Sequence, residues 1–181
     1  MESGYHTNRW LDLDALFVDQ RAIAPSVDAL AAALRRYDAD AICGPMRGGA
    51  FLAQLIASAL GVEFWFTERV APASIDRMFQ VSYPLPRAIA ERARGKSVAI
   101  VDDVMSAGSA LRGAYGELEK HGARTVAAGA LLVLGTAGVD FFRDRDIPVE
   151  SVSRENLDLW PPAECRLCAA GMPLERIVSN G

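Results

Sequence analysis

Apolar and polar positions along the chain fall into two rhythms that take turns. Residues 98–101, Val-Ala-Ile-Val, form an unbroken apolar run, the pattern of a parallel strand buried on both faces. Runs of the same kind predict strands over 39–43, 62–67 and 125–134, and a last strand over 148–152. Between them the spacing turns helical. Pro25 and Ser26 are placed to start a helix with Ser26 as its cap, on which Val27, Leu30, Leu34 and Tyr37 share one face. An almost wholly apolar helix is predicted over 50–60 with Gly61 as its stop, and a short basic one over 86–94 ended by Gly95. A further helix starts near Ser109, carries Leu111, Tyr115 and Leu118 on one face and stops at Gly122, with His121 placed as a charge partner for its end. Residues 139–146 also look helical. Alternation at 10–14 suits an edge strand, and residues 70–84, with Pro and an alternating piece at 78–83, read as a hairpin or flap. Strands and helices in alternation predict an α/β fold. The expected form is a doubly wound, mainly parallel sheet with helices on both faces.

Composition narrows this picture. With 181 residues, 51% of them hydrophobic, the chain fits one domain over 1–181 with a substantial core. An arm over 1–24 and a tail over 155–181 are expected to form a small hood. The net charge of −4 and the absence of a basic cluster argue against a nucleic-acid partner. No apolar run is long enough to span a bilayer, and the first residues carry no signal-peptide pattern, so a cytoplasmic protein with no membrane partner is expected. Cys43, Cys165 and Cys168 do not make a disulfide framework. Cys165-Arg166-Leu167-Cys168 reads as a pair of structural thiols, as half of a zinc site completed by Cys43, a histidine or a second subunit, or as a redox pair.

The chemistry concentrates where the 98–101 run ends. Asp102 and Asp103 follow it, then Val104, Met105, Ser106, Ala107, Gly108, Ser109 and Ala110 lead into a helix. A strand entering a small-residue loop and a helix N-terminus makes an anion site, because first-turn N–H groups and the helix dipole both favour negative charge. Ser106 and Ser109 add hydroxyl donors. Adjacent carboxylates repel, so Asp102 and Asp103 call for hydroxyl donors or a cation such as hydrated Mg²⁺. A second strand-loop-helix unit ends the 39–43 run in Gly44-Pro45-Met46-Arg47-Gly48-Gly49, which brings backbone N–H groups and one guanidinium to another strand end. No Gly-Lys-Ser/Thr P-loop is present, and Arg47-Gly48-Gly49 is not a dinucleotide fingerprint.

The 98–111 stretch resembles the phosphoribosyl-pyrophosphate (PRPP) motif of the type I phosphoribosyltransferases, nearest to the orotate branch, with serines where threonines are usual. The resemblance covers roughly residues 1–135 and implies that family's fold. It also implies transfer of a phosphoribosyl group from PRPP with Mg²⁺ to a nitrogenous base, an orotate-like pyrimidine first, with release of pyrophosphate. In that reading Asp102 and Asp103 are catalytic and hold the ribose hydroxyls, and Ser106 to Ala110 hold the 5′-phosphate. Met46, Arg47 and Gly48 line the pyrophosphate side, with Arg69 as a further contact and Arg77 as a flap cation. A homodimer is implied too.

Three positions depart from the orotate pattern. Ser3-Gly4-Tyr5-His6-Thr7 is similar to that branch's base-side segment, but Glu2 stands where the branch has lysine. No lysine lies between Gln20 and Lys96, where the branch carries a lysine-rich loop. The 125–134 strand ends in Leu134-Gly135-Thr136, without the branch's arginine. A transferase for a purine or another base, and a PRPP- or nucleotide-binding regulatory module without turnover, therefore stand beside the orotate reading.

Overall fold

The computed structural model describes residues 6–8, 11, 13–70, 81–156 and 158–174. Contacts divide the chain into two units, one of residues 12–155 and one that joins 1–11 to 156–181. In chain order the strands are β1 (His6–Thr7), β2 (Ala41–Pro45), β3 (Glu63–Thr67), β4 (Ser97–Met105), β5 (Arg124–Leu134), β6 (Val149–Glu155) and β7 (Leu159–Trp160). The helices are α1 (Gln20–Leu34), α2 (Gly48–Leu60), α3 (Arg87–Ala90), α4 (Ser109–Lys120), α5 (Ala137–Arg143) and α6 (Arg166–Ala169).

Five of these strands make a parallel sheet in the order β3-β2-β4-β5-β6. Alternate residues of β4 serve opposite layers. Val98 and Ile100 pack with Leu111 and Leu118 of α4 and Phe142 of α5, while Ala99 and Val101 pack with Leu30 and Leu34 of α1 and Leu52 and Ile56 of α2. Both faces are thus covered, which is why the strand has no polar alternation to display. Burying each of these large side chains stabilises the fold by about 1.5–3 kcal/mol.

Strand order fixes where a ligand can enter. From β2 the chain moves outward to β3 at the sheet edge, then returns to place β4 on the other side of β2. Connections leaving the carboxyl ends of β2 and β4 therefore diverge, and a crevice opens between them.

Several boundaries differ from the sequence expectation for physical reasons. Helix α1 starts at Gln20, with Asp19 Oδ1 accepting from the Arg21 N–H at 2.9 Å, and Pro25 lies inside it. Proline there removes one hydrogen bond and crowds the carbonyl four residues back, and the longer helix offsets this by bringing Ile23 onto the buried face beside Val27, Leu30 and Leu34. Strand β4 runs on through both aspartates to Met105, so the acids belong to the strand. Strand β6 reaches Glu155, and α3 is a single turn. Leu11 and Leu13 are not in a strand, and Asp14–Phe17 is a 3-10 turn; Trp10 and Asp12 lie outside the described residues. Of the 70–84 segment, Val70 and Ser82 exchange two backbone hydrogen bonds, 3.0 and 3.1 Å long, as the base of a hairpin does. Residues 71–80, Arg77 among them, lie outside the described residues, as does Glu2.

In the smaller unit β1 pairs antiparallel with β7, His6 opposite Trp160 and Thr7 opposite Leu159. Among its described residues only Cys165 is buried. No helix among the described residues is long and apolar enough to cross a membrane.

Candidate active site

At the end of β4 the two carboxylates turn back on their own backbone. Asp102 Oδ1 accepts from the Asp103 N–H at 3.0 Å, and Asp103 Oδ1 accepts from the Val104 N–H at 2.7 Å. Each side chain is therefore held in one orientation and is half-buried. Burial, together with the neighbouring charge of Asp103, pushes the Asp102 carboxyl well above the usual carboxylate range. Beyond the acids Ser106 and Ala107 turn, and Gly108 adopts φ +73°, a left-handed conformation suited to glycine. Helix α4 then begins with no side-chain cap, and its first closing bond runs from the Arg112 N–H to the Gly108 carbonyl at 2.8 Å. The amides of Ser109, Ala110 and Leu111 fall in the first turn, where N–H groups have no intrahelical partner.

This loop is pinned from behind by α5. Gly138 N–H donates to the Ser106 carbonyl at 3.0 Å, and Arg112 Nη2 donates to the Ala137 carbonyl at 2.8 Å. The Arg112 guanidinium also lies over the Phe141 ring, 4.4 Å from its centre. A methyl group on Gly138 would stand 2.7 Å from both Ser106 O and Met105 Cγ, so only glycine lets α5 come this close.

The end of β2 is made from what is missing in its side chains. A Cβ on Gly48 would sit 2.1 Å from Asp103 Oδ2, and one on Gly49 would sit 2.8 Å from Asp102 Oδ1. Gly44 faces the Gly49 carbonyl, where a Cβ would lie at 2.0 Å. The start of α2 thus lies directly against both carboxylates. Met46 N–H donates to the Thr67 carbonyl of β3 at 2.9 Å, which ties the loop to the neighbouring strand, and the Met46–Arg47 peptide is cis. Met46 and Arg47 are exposed at this rim. Arg69, also exposed, follows β3 two residues beyond Thr67, the register partner of Pro45.

The structure therefore brings Asp102, Asp103, Gly48 and the 106–110 loop to one crevice, with Arg47 on the same β2 connection and Arg69 at the next strand end. Gly49, Gly138 and Arg112 were missed from sequence. The signal available for Gly138 was a second glycine three residues after Gly135, at the start of a helix that has to approach the anion loop. Nothing local marked Arg112, whose partners lie on α5. Cys43 is fully buried in the sheet core, and burial pushes its thiol up to about 12, leaving it an inert apolar filler.

Such a site suits a sugar phosphate with a second anionic group. Uncapped amides at α4 take a phosphate, fixed carboxylates take a vicinal diol, and Arg47 supplies positive charge opposite them. A close pair of partly desolvated carboxylates also fits a hydrated divalent cation brought in with such a substrate.

The family model for the phosphoribosyl transferase domain matches residues 17–163. Orotate phosphoribosyltransferase of Thermotoga maritima is 28% identical over 181 residues, which is 100% of this chain and 89% of that protein. Among solved structures, orotate phosphoribosyltransferase from Aeropyrum pernix aligns with a TM-score of 0.67 at 19% identity, covering 85% of this chain and 83% of that one. The adenine phosphoribosyltransferase (APRTase) of Giardia lamblia in complex with 9-deazaadenine aligns with 0.68 at 16% identity, covering 85% and 95%. Enzymes named for different bases thus share this fold to the same degree.

Proposed function

Because the chain belongs to the phosphoribosyltransferase family, we propose that it moves the 5-phosphoribosyl group of PRPP onto a nitrogenous base and releases pyrophosphate. The observation that carries this reading is the contact between the two strand ends, where Gly48 and Gly49 leave room for the carboxylates of Asp103 and Asp102. The 5′-phosphate sits on the loop from Ser106 to Ala110 at the start of α4. Asp102 and Asp103 accept hydrogen bonds from the ribose hydroxyls. Met46, Arg47 and Gly48, with Arg69, face the pyrophosphate.

In the reaction the bond from C1′ to the pyrophosphate oxygen breaks, its electron pair leaves with pyrophosphate, and a ring nitrogen of the base bonds to C1′ as its proton passes to solvent. Positive charge develops on the sugar as this happens. The chain's part is to orient the ribose and stabilise both charges: carboxylates beside the developing cation, Arg47 beside the leaving group. Mg²⁺ bound with PRPP would supply further neutralisation of the pyrophosphate charge, held near Asp102 and Asp103. A second subunit is part of this reading, as the family resemblance implies a homodimer.

Orotate is the first acceptor to test, since the relatives named for it align with the whole chain. The test is pyrophosphate release from PRPP and Mg²⁺ with a panel of pyrimidine and purine bases. Release with orotate establishes that acceptor; release with another base alone reassigns it. One observation favours a second reading, a PRPP-binding module without turnover: no lysine lies between Gln20 and Lys96. Calorimetric binding of PRPP with no release for any base would establish that alternative.

A further inference from the structure

The second unit contains a side-chain cluster that the transfer chemistry does not use. His6, Cys165 and Cys168 each offer one donor atom, and the three atoms lie within 4.8 Å of one another. Cys168 Sγ is 3.3 Å from His6 Nδ1. We propose that these residues form a zinc site that clips the N-terminal arm to the C-terminal tail.

The local geometry assembles the site from both termini. Antiparallel pairing sets His6 opposite Trp160 and so carries the imidazole to the turn that follows β7. Cys165 precedes α6 in extended conformation and Cys168 lies within α6, so one helical turn separates the thiols. The Ala169 N–H closes that turn on the Cys165 carbonyl at 3.0 Å. Zinc bonds of about 2.0–2.3 Å in a tetrahedral arrangement put neighbouring donor atoms roughly 3.3–3.8 Å apart. The His6 to Cys168 separation already falls there, and the remaining donor pairs lie within 4.8 Å.

Donor chemistry selects the ion. Two thiolates and an imidazole suit a borderline-soft divalent ion such as Zn²⁺, whereas Mg²⁺ takes oxygen ligands and belongs with the substrate phosphates. Binding displaces the thiol protons to solvent, with no change of oxidation state. The fourth tetrahedral position falls to water. A structural need is also present. The unit has two-residue strands, and among its described residues only Cys165 is buried, so those residues make little core of their own. Small units in this position depend on a metal, a disulfide or a partner.

The test is metal analysis of the full chain, purified under reducing conditions and dialysed after exposure to Zn²⁺. About one zinc per chain is expected, and Co²⁺ in its place should give the intense visible bands and sulfur-to-cobalt charge transfer of a tetrahedral thiolate site. Cys168→Ser and His6→Ala should each lose zinc in the same dialysis, while Cys43→Ala, altered in the sheet core, should keep it. Because Cys168 is exposed, Cys168→Ser tests the site even if Cys165→Ser fails to fold. Zinc content in the reduced wild type no higher than in Cys168→Ser overturns the proposal. So does a Cys165–Cys168 disulfide in a chain that takes up no zinc after reduction.

Discussion

The two strand ends that meet in the crevice are built on opposite logics. The end of β4 is specified by groups that are present: two carboxylates tied to the Asp103 and Val104 amides, hydroxyls at Ser106 and Ser109, and an uncapped helix. The end of β2 is specified by groups that are absent, since Gly48 and Gly49 occupy positions where any Cβ would strike Asp103 or Asp102. Each end depends on the other. Carboxylates without the glycines would have to swing away, and glycines without the carboxylates would face an empty space.

This dependence can be broken from either side. The largest effect is expected for Asp103→Asn, which keeps the shape and removes the charge that the proposed transfer sets beside the developing sugar cation. Loss of one preorganised electrostatic partner of this kind costs about 10²–10³-fold in kcat/KM, and steady-state pyrophosphate release measures it. Gly48→Ala attacks the same contact from the β2 side. It should displace the Asp103 carboxylate, weaken PRPP binding by about 10–100-fold in calorimetry and cost about 1–3 kcal/mol in denaturant unfolding. If Gly48→Ala bound PRPP as the wild type does, the mutual dependence of the two ends would be wrong. Arg47→Ala should raise the KM for PRPP about tenfold, the size of one lost charge-assisted hydrogen bond. Arg47→Lys should recover most of that, because it keeps a positive charge at the same rim.

The same contrast explains what could be read from sequence. Strands buried on both faces announce themselves as apolar runs, so β4 and β5 were legible, and Gly61 and Gly122 marked real stops at φ +72° and +78°, whereas α3 ends at Ala90, well before Gly95. The acids and the 106–110 loop were legible because polar groups at a strand end have few other uses. Gly48 and Gly49 were legible as part of a pyrophosphate loop, but not as residues that must lack a Cβ; that necessity lies in atoms more than fifty positions away. The start of α1 was misplaced because Pro25 and Ser26 imitate a helix start, while the true cap, Asp19, lies upstream. Cys165 and Cys168 were visible by spacing. His6 as their neighbour was not, since 162 positions separate it from Cys168 and the two come together through a two-residue ladder.

The smallest expected effect concerns Asp102 and has a sign that depends on pH. Its carboxyl is held well above the usual range in the fold, chiefly by burial and then by the charge of Asp103, whereas in the unfolded chain it titrates near 3.8. Below the unfolded value both states are protonated and the group costs nothing. As pH rises toward the raised folded value, the unfolded chain ionises first, so stability is lost across that interval and the penalty persists above it. Asp102→Asn removes the penalty. The variant should melt about 2–4 °C above the wild type at neutral to alkaline pH, equivalent to on the order of 1 kcal/mol, and the difference should vanish near pH 4. PRPP binding should move the other way: wild-type affinity climbs with pH as Asp102 ionises to accept the ribose hydroxyls, and the asparagine variant shows no such climb. A melting difference that is the same at pH 4 and pH 8 would mean that Asp102 is not the desolvated partner of the pair, and that Gly49 makes room for a group already content with its charge.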